Sequence, residues 1–372
     1  MIFLPHLALP IDVESYPLRG GKLFCMETKM KRFARNFATS AAIAIFGSIV
    51  AVAASAPGYH IVKTYKLGGE GGWDYLTLDN SAHRLYISRS THVMVIDTES
   101  GKQVGEIFDT PGVHGIALVP ALNKGFTSNG REGTVSIFDV KTLKTLYKVK
   151  VGENPDAILY DPATKRVFTF NGRSHDASAL EAVQGKVIGT IKLDGKPEFG
   201  VSDEKGELFV NIEDKNEIEA LDPAKLEVKA KWPMAGCNEP SGLAIDREHR
   251  RLFSGCDKLM AIVDADSGKE VATLPICDGV DATAYDPETK LALASCNDGK
   301  LTVIREESLD KFSVVENATT QEGARTMALD PKTHEVYTVT AKFGARPAAT
   351  AANPNPRPSI EPNSFVVLVL SK

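Results

Sequence analysis

The stretch Tyr160-Asp161-Pro162-Ala163-Thr164-Lys165-Arg166-Val167-Phe168-Thr169-Phe170-Asn171 places a turn ahead of a short run of strand-forming residues. Proline fixes φ inside the turn, and the aspartate before it accepts hydrogen bonds from the backbone that follows. The β-branched and aromatic residues after the turn are typical of a strand. The stretch therefore predicts a β-hairpin.

The chain contains seven such stretches, counting the one quoted: five are clear and two are degenerate. Their anchor residues are Asp79, Val119, Asp161, Ser202, Asp246, Asp286 and Asp330, at intervals of 40 to 44 residues. Repeats of about 40 to 50 residues include the β-propeller repeats. Each unit has room for four short strands, and no amphipathic helical period accompanies them. The sequence predicts an all-β chain folded as a seven-bladed β-propeller of four-stranded antiparallel blades.

The two ends of the repeat region are expected to complete one blade together. The last unit lacks a fourth strand after Ser364–Leu370, and a spare strand, His60–Leu67, precedes the first anchor. Pairing the two closes the ring and leaves no exposed sheet edge. Residues 57–372 are thus expected to form a single propeller domain. The Pro- and Ala-rich segment 346–363 is predicted to be a mobile insertion between the second and third strands of the last blade.

Residues 1–56 have the features of a secretory signal peptide. A basic start at 31–35 leads into an apolar run at 38–54, and Ala54-Ser55-Ala56 offers small residues for cleavage. We expect cleavage after Ala56, with residues 1–29 preceding the true translation start; a retained membrane anchor is the alternative. Cleavage implies a periplasmic or secreted protein without a membrane span.

The charge of the chain argues against nucleic acid as a partner. The 372 residues include 43 Lys and Arg against 48 Asp and Glu, a net charge of −5. Removal of residues 1–56 takes away more basic than acidic residues and brings the net charge to about −8. A protein this acidic lacks the basic surface that binds phosphate backbones. A protein or a small molecule is the expected partner, and the protein is expected to be a monomer.

Several strands resemble the YVTN repeat, in which an aromatic or aliphatic residue and two small residues precede asparagine. The phrases are Phe126-Thr127-Ser128-Asn129 and, more loosely, Phe168-Thr169-Phe170-Asn171. Together with 210–217 and 323–330, they look like the YncE-like family of secreted bacterial propellers. The resemblance covers roughly residues 59–372. It implies a periplasmic or secreted binding propeller without an assigned reaction, because propellers host many functions.

A candidate site follows from position within the repeat. Five residues before each anchor, at the start of the innermost strand, lie Asp74, His114, Asp156, Ser241, Asp281 and Arg325, with Pro197 or Glu198 in the fourth unit. Innermost strands line the central channel, so these residues are expected to ring one mouth of it. Trp73 and Tyr75 flank the ring, and the loops after the second strands are expected to bring Arg89, Asn129, Arg131, Arg173 and His175 to the same face.

Two functions remain open for this mouth. The first is a binding or scaffold module without a cofactor, recognising a protein or a small ligand there. The second is an enzyme of lactonase or lyase type that uses a divalent metal held by Asp74, His114, Asp156 and Asp281. No nucleophile elbow, zinc-protease motif or phosphate-binding loop occurs in the sequence. We therefore assign no catalytic residue and favour the binding module.

The cysteines predict two disulfides. Cys25 lies in the segment expected to be cleaved, which leaves four cysteines in a chain expected to reach an oxidising compartment. Cys237 and Cys256 are placed symmetrically about one hairpin turn, and Cys277 and Cys296 about the next. We expect Cys237–Cys256 and Cys277–Cys296, with the members of each pair facing one another across the base of a hairpin. A four-thiolate zinc site is the alternative.

Overall fold

The computed structural model describes residues 58–350, 356 and 358–372. These residues fold into seven separate four-stranded antiparallel sheets, which confirms the predicted all-β, seven-bladed propeller. They contain no α-helix, only two short 3-10 turns at Pro120–Leu122 and Glu213–Lys215. Within the described part of the chain, no helix is long and apolar enough to cross a membrane. The predicted signal peptide, residues 1–56, lies outside the described residues and stays a prediction.

The first six blades each take four consecutive strands, running from the innermost to the outermost. Blade one contains β2 (Leu76–Asp79), β3 (Arg84–Ser88), β4 (Val93–Asp97) and β5 (Gln103–Ile107). Blade two contains β6 (Val113–Val119), β7 (Lys124–Asn129), β8 (Thr134–Asp139) and β9 (Thr145–Lys150). Blade three contains β10 (Pro155–Asp161), β11 (Arg166–Asn171), β12 (Asp176–Glu181) and β13 (Lys186–Lys192).

Blades four to six repeat this order. Blade four contains β14 (Pro197–Ser202), β15 (Leu208–Ile212), β16 (Glu217–Asp222) and β17 (Glu227–Pro233). Blade five contains β18 (Pro240–Asp246), β19 (Arg251–Cys256), β20 (Leu259–Asp264) and β21 (Glu270–Pro275). Blade six contains β22 (Val280–Asp286), β23 (Leu291–Cys296), β24 (Lys300–Ser308) and β25 (Lys311–Thr319).

Blade seven joins the two ends of the described chain. It contains β26 (Met327–Leu329), β27 (Val336–Thr340), β28 (Val366–Ser371) and, outermost, β1 (His60–Lys66). The predicted closure is therefore confirmed, with β1 antiparallel to β28. Most residues of β1 are exposed. The strand is held instead by its backbone pairing and by Tyr65, whose hydroxyl donates to the carbonyl of Thr98 in blade one over 2.8 Å.

The inner strands form a closed ring around the central channel. Each contacts the inner strands of both neighbouring blades, in the order β2, β6, β10, β14, β18, β22, β26 and back to β2. The second and third strands are buried almost throughout and pack between blades. One interblade core, for example, joins Phe126 of blade two to Val167 and Leu180 of blade three. Because the core lies between blades, the polar groups at the ends of the inner strands are free to face the channel.

The hairpin turns form as the sequence predicts. In blade three, Asp161 accepts hydrogen bonds from the backbone N–H of Thr164 at 2.9 Å and from its hydroxyl at 2.5 Å. Lys165 then takes a left-handed conformation with φ of 57°, which reverses the chain into β11. Asp286 and Thr289 repeat the side-chain contact at 2.6 Å in blade six. The aspartate thus satisfies the turn backbone and ends the inner strand.

The segment 346–363 lies between β27 and β28. Residues flanking and within it pair through an isolated bridge from Phe343 to Ile360. The N–H of Gly344 donates to the carbonyl of Ser359 over 2.8 Å. The end of this segment, at Ser359 and Ile360, therefore pairs with the residues that follow β27. Residues 351–355 and 357 lie outside the described part of the chain.

Both predicted disulfides are confirmed. Cys237–Cys256 and Cys277–Cys296 have Cα atoms 5.2 and 5.7 Å apart, within the range for a disulfide. The expected facing of the cysteines across the hairpin is wrong, however. Cys256 pairs in register with Pro240, so Cys237 lies in the segment that enters the strand. The same offset recurs in blade six, because the hairpins are centred beyond the aspartates: Asp246 pairs with Arg251 and Asp286 with Leu291.

Candidate functional site

Each blade contributes one residue to a ring at a single mouth of the channel. All seven line the same cavity of about 640 Å³, which lies within the usual size range of ligand pockets. In blade order they are Asp74, His114, Asp156, Glu198, Ser241, Asp281 and Arg325. They come together because each stands at the start of an inner strand, or just before it. The repeat offset of the sequence therefore places six members of this ring, and in blade four Glu198 rather than Pro197 lines the cavity.

The ring is held by contacts between adjacent blades. His114 Nδ1 lies 2.6 Å from Asp74 Oδ2 and 3.7 Å from Asp156 Oδ1. Arg325 contacts Asp281 Oδ1 at 2.7 Å and Asp74 Oδ1 at 3.8 Å. Only a quarter to a third of the His114 and Arg325 side chains is exposed. Two cations thus lie among three carboxylates of the ring.

The fourth carboxylate has a cation from outside the ring. Lys196 Nζ lies 2.6 Å from Glu198 Oε1 and also pairs with Glu213. Lys196 precedes the inner strand of blade four, and Glu213 follows its second strand. Sequence reasoning missed both residues. Glu213 stands two residues after Asn211, as Arg131 stands two after Asn129, so the repeat did contain a signal for it.

Burial changes the protonation of the ring carboxyls. It raises the pKa of Asp156 to about 6 against the opposing charge of His114. It raises the pKa of Asp281 to about 7, with Arg325 opposing. Burial and then the charge of Asp156 raise the pKa of Glu198 to about 8. The three carboxyls therefore change protonation state near neutral pH.

His114 shifts in the direction that favours its charged form. Burial lowers its pKa, but the hydrogen bond to Asp74 and the charges of Asp156 and Asp74 outweigh burial and raise it to about 9. His114 is then a cation at neutral pH, and both ring nitrogens act as donors. Nδ1 contacts Asp74, and the same nitrogen lies 3.7 Å from Asp156 Oδ1.

Three aromatic residues line the cavity, and two of them have buried polar atoms without a partner in the described part of the chain. Tyr75 stacks on Phe199 with ring centroids 4.5 Å apart. Neither the Tyr75 hydroxyl nor the Trp73 indole N–H is hydrogen-bonded to any described residue, although both atoms are buried. Burial and then the charge of Asp156 hold the pKa of Tyr75 well above its usual value. The Tyr75 hydroxyl therefore stays protonated, and both groups are buried donors without a partner among the described residues.

The loop residues predicted for this face separate into distinct groups. Arg131 and Trp73 line the cavity. Arg173 is exposed and is not among the residues that line it. Arg89 is 1% exposed and donates to the carbonyls of Glu70 and Gly71 at 2.8 and 3.0 Å, so it holds a loop in place.

Three ring residues could hold a metal ion. One ligand atom from each of Asp74, His114 and Asp156 lies within 4.8 Å of the others. Imidazole with two carboxylates is a donor set that divalent transition ions accept. Asp281 is not a member of this cluster, because it pairs with Arg325 instead. The expected four-residue metal set is therefore reduced to three residues.

Known proteins resemble this chain in fold alone. No family model matches the chain, and no curated protein matches it. A chain of hydrazine synthase from Kuenenia stuttgartiensis superposes with a TM-score of 0.64 at 17% identity, covering 72% of this chain and 92% of that one. U3-55K superposes with a TM-score of 0.67 at 9% identity, covering 83% of this chain and 98% of that one. Both likenesses support the seven-bladed propeller, a fold that serves widely as a binding scaffold.

Proposed function

We propose that this protein is a periplasmic or secreted YVTN-type, YncE-like binding propeller that takes a small polar ligand at the ringed mouth of its channel. The observation that carries the proposal is the convergence of one inner-strand residue from every blade on a single cavity. The channel needs polar residues at its mouth in any case. The ion pairs that join ring residues of adjacent blades go beyond that requirement.

The charges of the mouth favour a ligand that carries both signs. Arg325, His114 and Arg131 present cationic groups, and Asp156 and Asp281 present carboxyls in the same cavity. A zwitterion can replace the internal partners of both kinds without leaving a buried charge unpaired. A purely anionic or cationic ligand would satisfy only one set.

The location in the envelope is supported by the cysteines. The two disulfides fit an oxidising compartment, and the segment before the propeller has the composition of a signal peptide. Cell fractionation of the producing organism, followed by N-terminal sequencing, tests this part of the proposal. A mature chain that begins at residue 57 supports it, whereas cytoplasmic protein with an intact N-terminus contradicts it.

Binding is tested with a panel of amino acids as probes, by thermal shift and then calorimetry on the tag-free protein. The site variant is Asp281→Asn with Arg325→Gln, which removes an ion pair as a unit. The matched control is Lys258→Gln with Asp278→Asn, which removes an exposed ion pair of 3.2 Å outside the cavity. We expect at least one zwitterion to bind the parent and the control but not the site variant. Equal binding to all three proteins, or no binding to the parent, would contradict the proposal.

A metal-dependent lactonase or lyase is the second candidate, favoured by the cluster of Asp74, His114 and Asp156. A bound divalent ion would supply a Lewis acid at the mouth, and these three residues would hold it. The binding module is favoured because His114, Arg325 and Lys196 already pair with carboxylates of the mouth, so the site needs no ion to balance its charge. Lactone hydrolysis that depends on added metal and is lost in His114→Asn would favour the enzyme instead.

A further inference from the structure

A second cluster of metal-binding residues lies at the other end of the inner strands, between blades five and six. It comprises Asp246, His249 and Glu306, whose ligand atoms lie within 4.8 Å of one another. Asp246 ends β18, whereas the ring residue Ser241 lies near its start. The cluster is therefore separate from the ringed mouth and from the proposed function.

The repeat shows that two of the three residues are exceptions at their positions. Three residues after the turn aspartate, blades three and six have Thr164 and Thr289, where blade five has His249. Glu306 is the other exception. In blades three and five the residue that follows the third strand is an alanine, Ala182 or Ala265, whose N–H donates to a carbonyl of the hairpin turn. In blade six Glu306 stands at the equivalent position and its N–H makes the same contact.

These two exceptions meet across the interface between the blades. His249 Nδ1 lies 2.6 Å from Asp246 Oδ2 and 3.5 Å from Glu306 Oε1. The fold needs neither residue at these positions, as the threonines and alanines of the other blades show. A function that uses His249 and Glu306 together would explain why the Glu306 carboxylate is buried here.

The two carboxylates of the cluster have too few hydrogen-bond donors. Asp246 is 2% and Glu306 4% exposed, so both carboxylates are buried. The single hydroxyl proton of Tyr285 faces Glu306 Oε2 at 2.5 Å and Asp246 Oδ2 at 3.2 Å, and it can serve only one of them at a time. Glu306 Oε1 receives no hydrogen bond from any described residue. A buried acceptor without a donor is costly unless something else occupies the position.

We infer that Asp246, His249 and Glu306 bind a divalent transition cation of the zinc type, which links blade five to blade six. Tetrahedral ligand atoms around zinc lie roughly 3.4 Å apart. The 3.5 Å between His249 Nδ1 and Glu306 Oε1 already fits this spacing. Asp246 Oδ2, which lies 2.6 Å from His249 Nδ1, would move away from that nitrogen as both atoms turn to the ion. Tyr285 holds the far oxygen of Glu306, which turns Oε1 towards the ion.

The ion has a route to the site. The His249 side chain is 27% exposed, whereas the carboxylate side chains behind it are 2% exposed. An ion can therefore enter from the solvent side past the imidazole, and water can complete its coordination. One imidazole and two carboxylates favour a transition ion over calcium, which takes six to eight oxygens.

The test uses tag-free mature protein, stripped with a chelator and titrated with Zn²⁺ alone. The variants are His249→Thr and Glu306→Ala, which restore residues that other blades have at these positions and so should fold. We expect the parent to bind zinc and its melting temperature to rise by about 4 °C at a hundredfold excess of Zn²⁺ over Kd. Either variant should bind one zinc ion fewer than the parent and should show no increase in melting temperature with Zn²⁺.

The ring variant His114→Asn is the control, and it should keep both the zinc equivalent and the rise. Zinc binding that survives in His249→Thr and Glu306→Ala but disappears in His114→Asn would place the ion in the ring and overturn the inference. A stripped parent that takes up no zinc would overturn it as well, and would indicate a carboxyl pair that shares a proton.

Discussion

Cys256 occupies in blade five the strand position that Asn171 occupies in blade three. Each pairs in register with the proline that begins the inner strand, Pro240 or Pro155. Both side chains are buried. The amide of Asn171 donates to Ser178 Oγ at 3.0 Å. The disulfide of blade five thus replaces a buried amide network that fastens the same corner in blade three.

This equivalence gives a prediction for the two disulfides. Loss of either one, by paired serine substitution, should lower the free energy of unfolding by about 3 kcal/mol, the chain-entropy value for a loop of 19 residues. Urea unfolding of each variant measures the loss. Peptide mapping without reductant should recover the two intrablade pairs, and a crosslink between Cys256 and Cys277 would contradict the structure.

Replacing a disulfide by the asparagine network of blade three should be less harmful in blade six than in blade five. Thr302 lies at the blade-six position of Ser178 and offers a hydroxyl, whereas blade five has Ala261 there. We expect Cys277→Gly with Cys296→Asn to be more stable than Cys237→Gly with Cys256→Asn by about 1 kcal/mol, the value of one hydrogen bond. Equal losses in urea unfolding would show that the hydroxyl does not matter.

Closure of the ring should depend on Tyr59 more than on the exposed residues of β1. Tyr59 is 3% exposed and belongs to the same buried core cluster as Leu370 and Val336, and its hydroxyl donates a hydrogen bond to the carbonyl of His334. Tyr59→Ala should cost about 3–4 kcal/mol of stability. Ile61→Ala, at a side chain that is 37% exposed, should cost under about 1 kcal/mol. Similar losses by chemical denaturation would contradict this account of closure.

The ring should make the protein more stable in mildly acidic solution. The folded-state pKa values of Asp156, Glu198 and Asp281 are raised to about 6, 8 and 7, so the native state holds protons that the unfolded chain releases. The raised pKa of His114, about 9, acts in the same direction. Stability is therefore lost as pH rises from about 4 to 9.

Calorimetric melting between pH 5.5 and 8.5 measures this effect, and we expect the melting temperature to fall by several degrees. Asp281→Asn should make the fall shallower, because the titrating carboxyl is gone. Asp278→Asn, at an exposed side chain, should leave the slope unchanged. A melting temperature that rises over this interval would show that the ring carboxyls are ionised throughout.

Arg89 should be irreplaceable by lysine. Its guanidinium lies 3.7 Å from the centroid of the Phe365 ring and donates to three loop carbonyls. An ammonium lacks the planar fork that reaches these acceptors. Arg89→Lys should therefore cost about 2–4 kcal/mol, since buried carbonyls lose their donors. Arg131→Lys at the exposed mouth should cost under about 0.5 kcal/mol in the same denaturation experiment.

The repeat made most of the architecture predictable from sequence. Turn residues such as Asp161 and Asp286 mark the repeat. Their spacing gave the number of blades and showed that the two ends of the chain must share one blade. Because every ring residue except Glu198 lies five residues before its anchor, Asp74 and Asp281 could be assigned to one mouth although they are far apart in the chain. The cysteine pairs followed from the same regularity.

Only the tertiary structure decided what these residues do to one another. Whether an arginine is buried like Arg89 or lines a cavity like Arg131 depends on which neighbouring loop covers it, and the repeat offset contains no such information. The pairing of Lys196 with Glu198, and the meeting of His249 with Glu306, arise between segments whose distance is fixed by blade packing. Sequence period determines position along a strand, whereas contacts between blades determine protonation, pairing and burial.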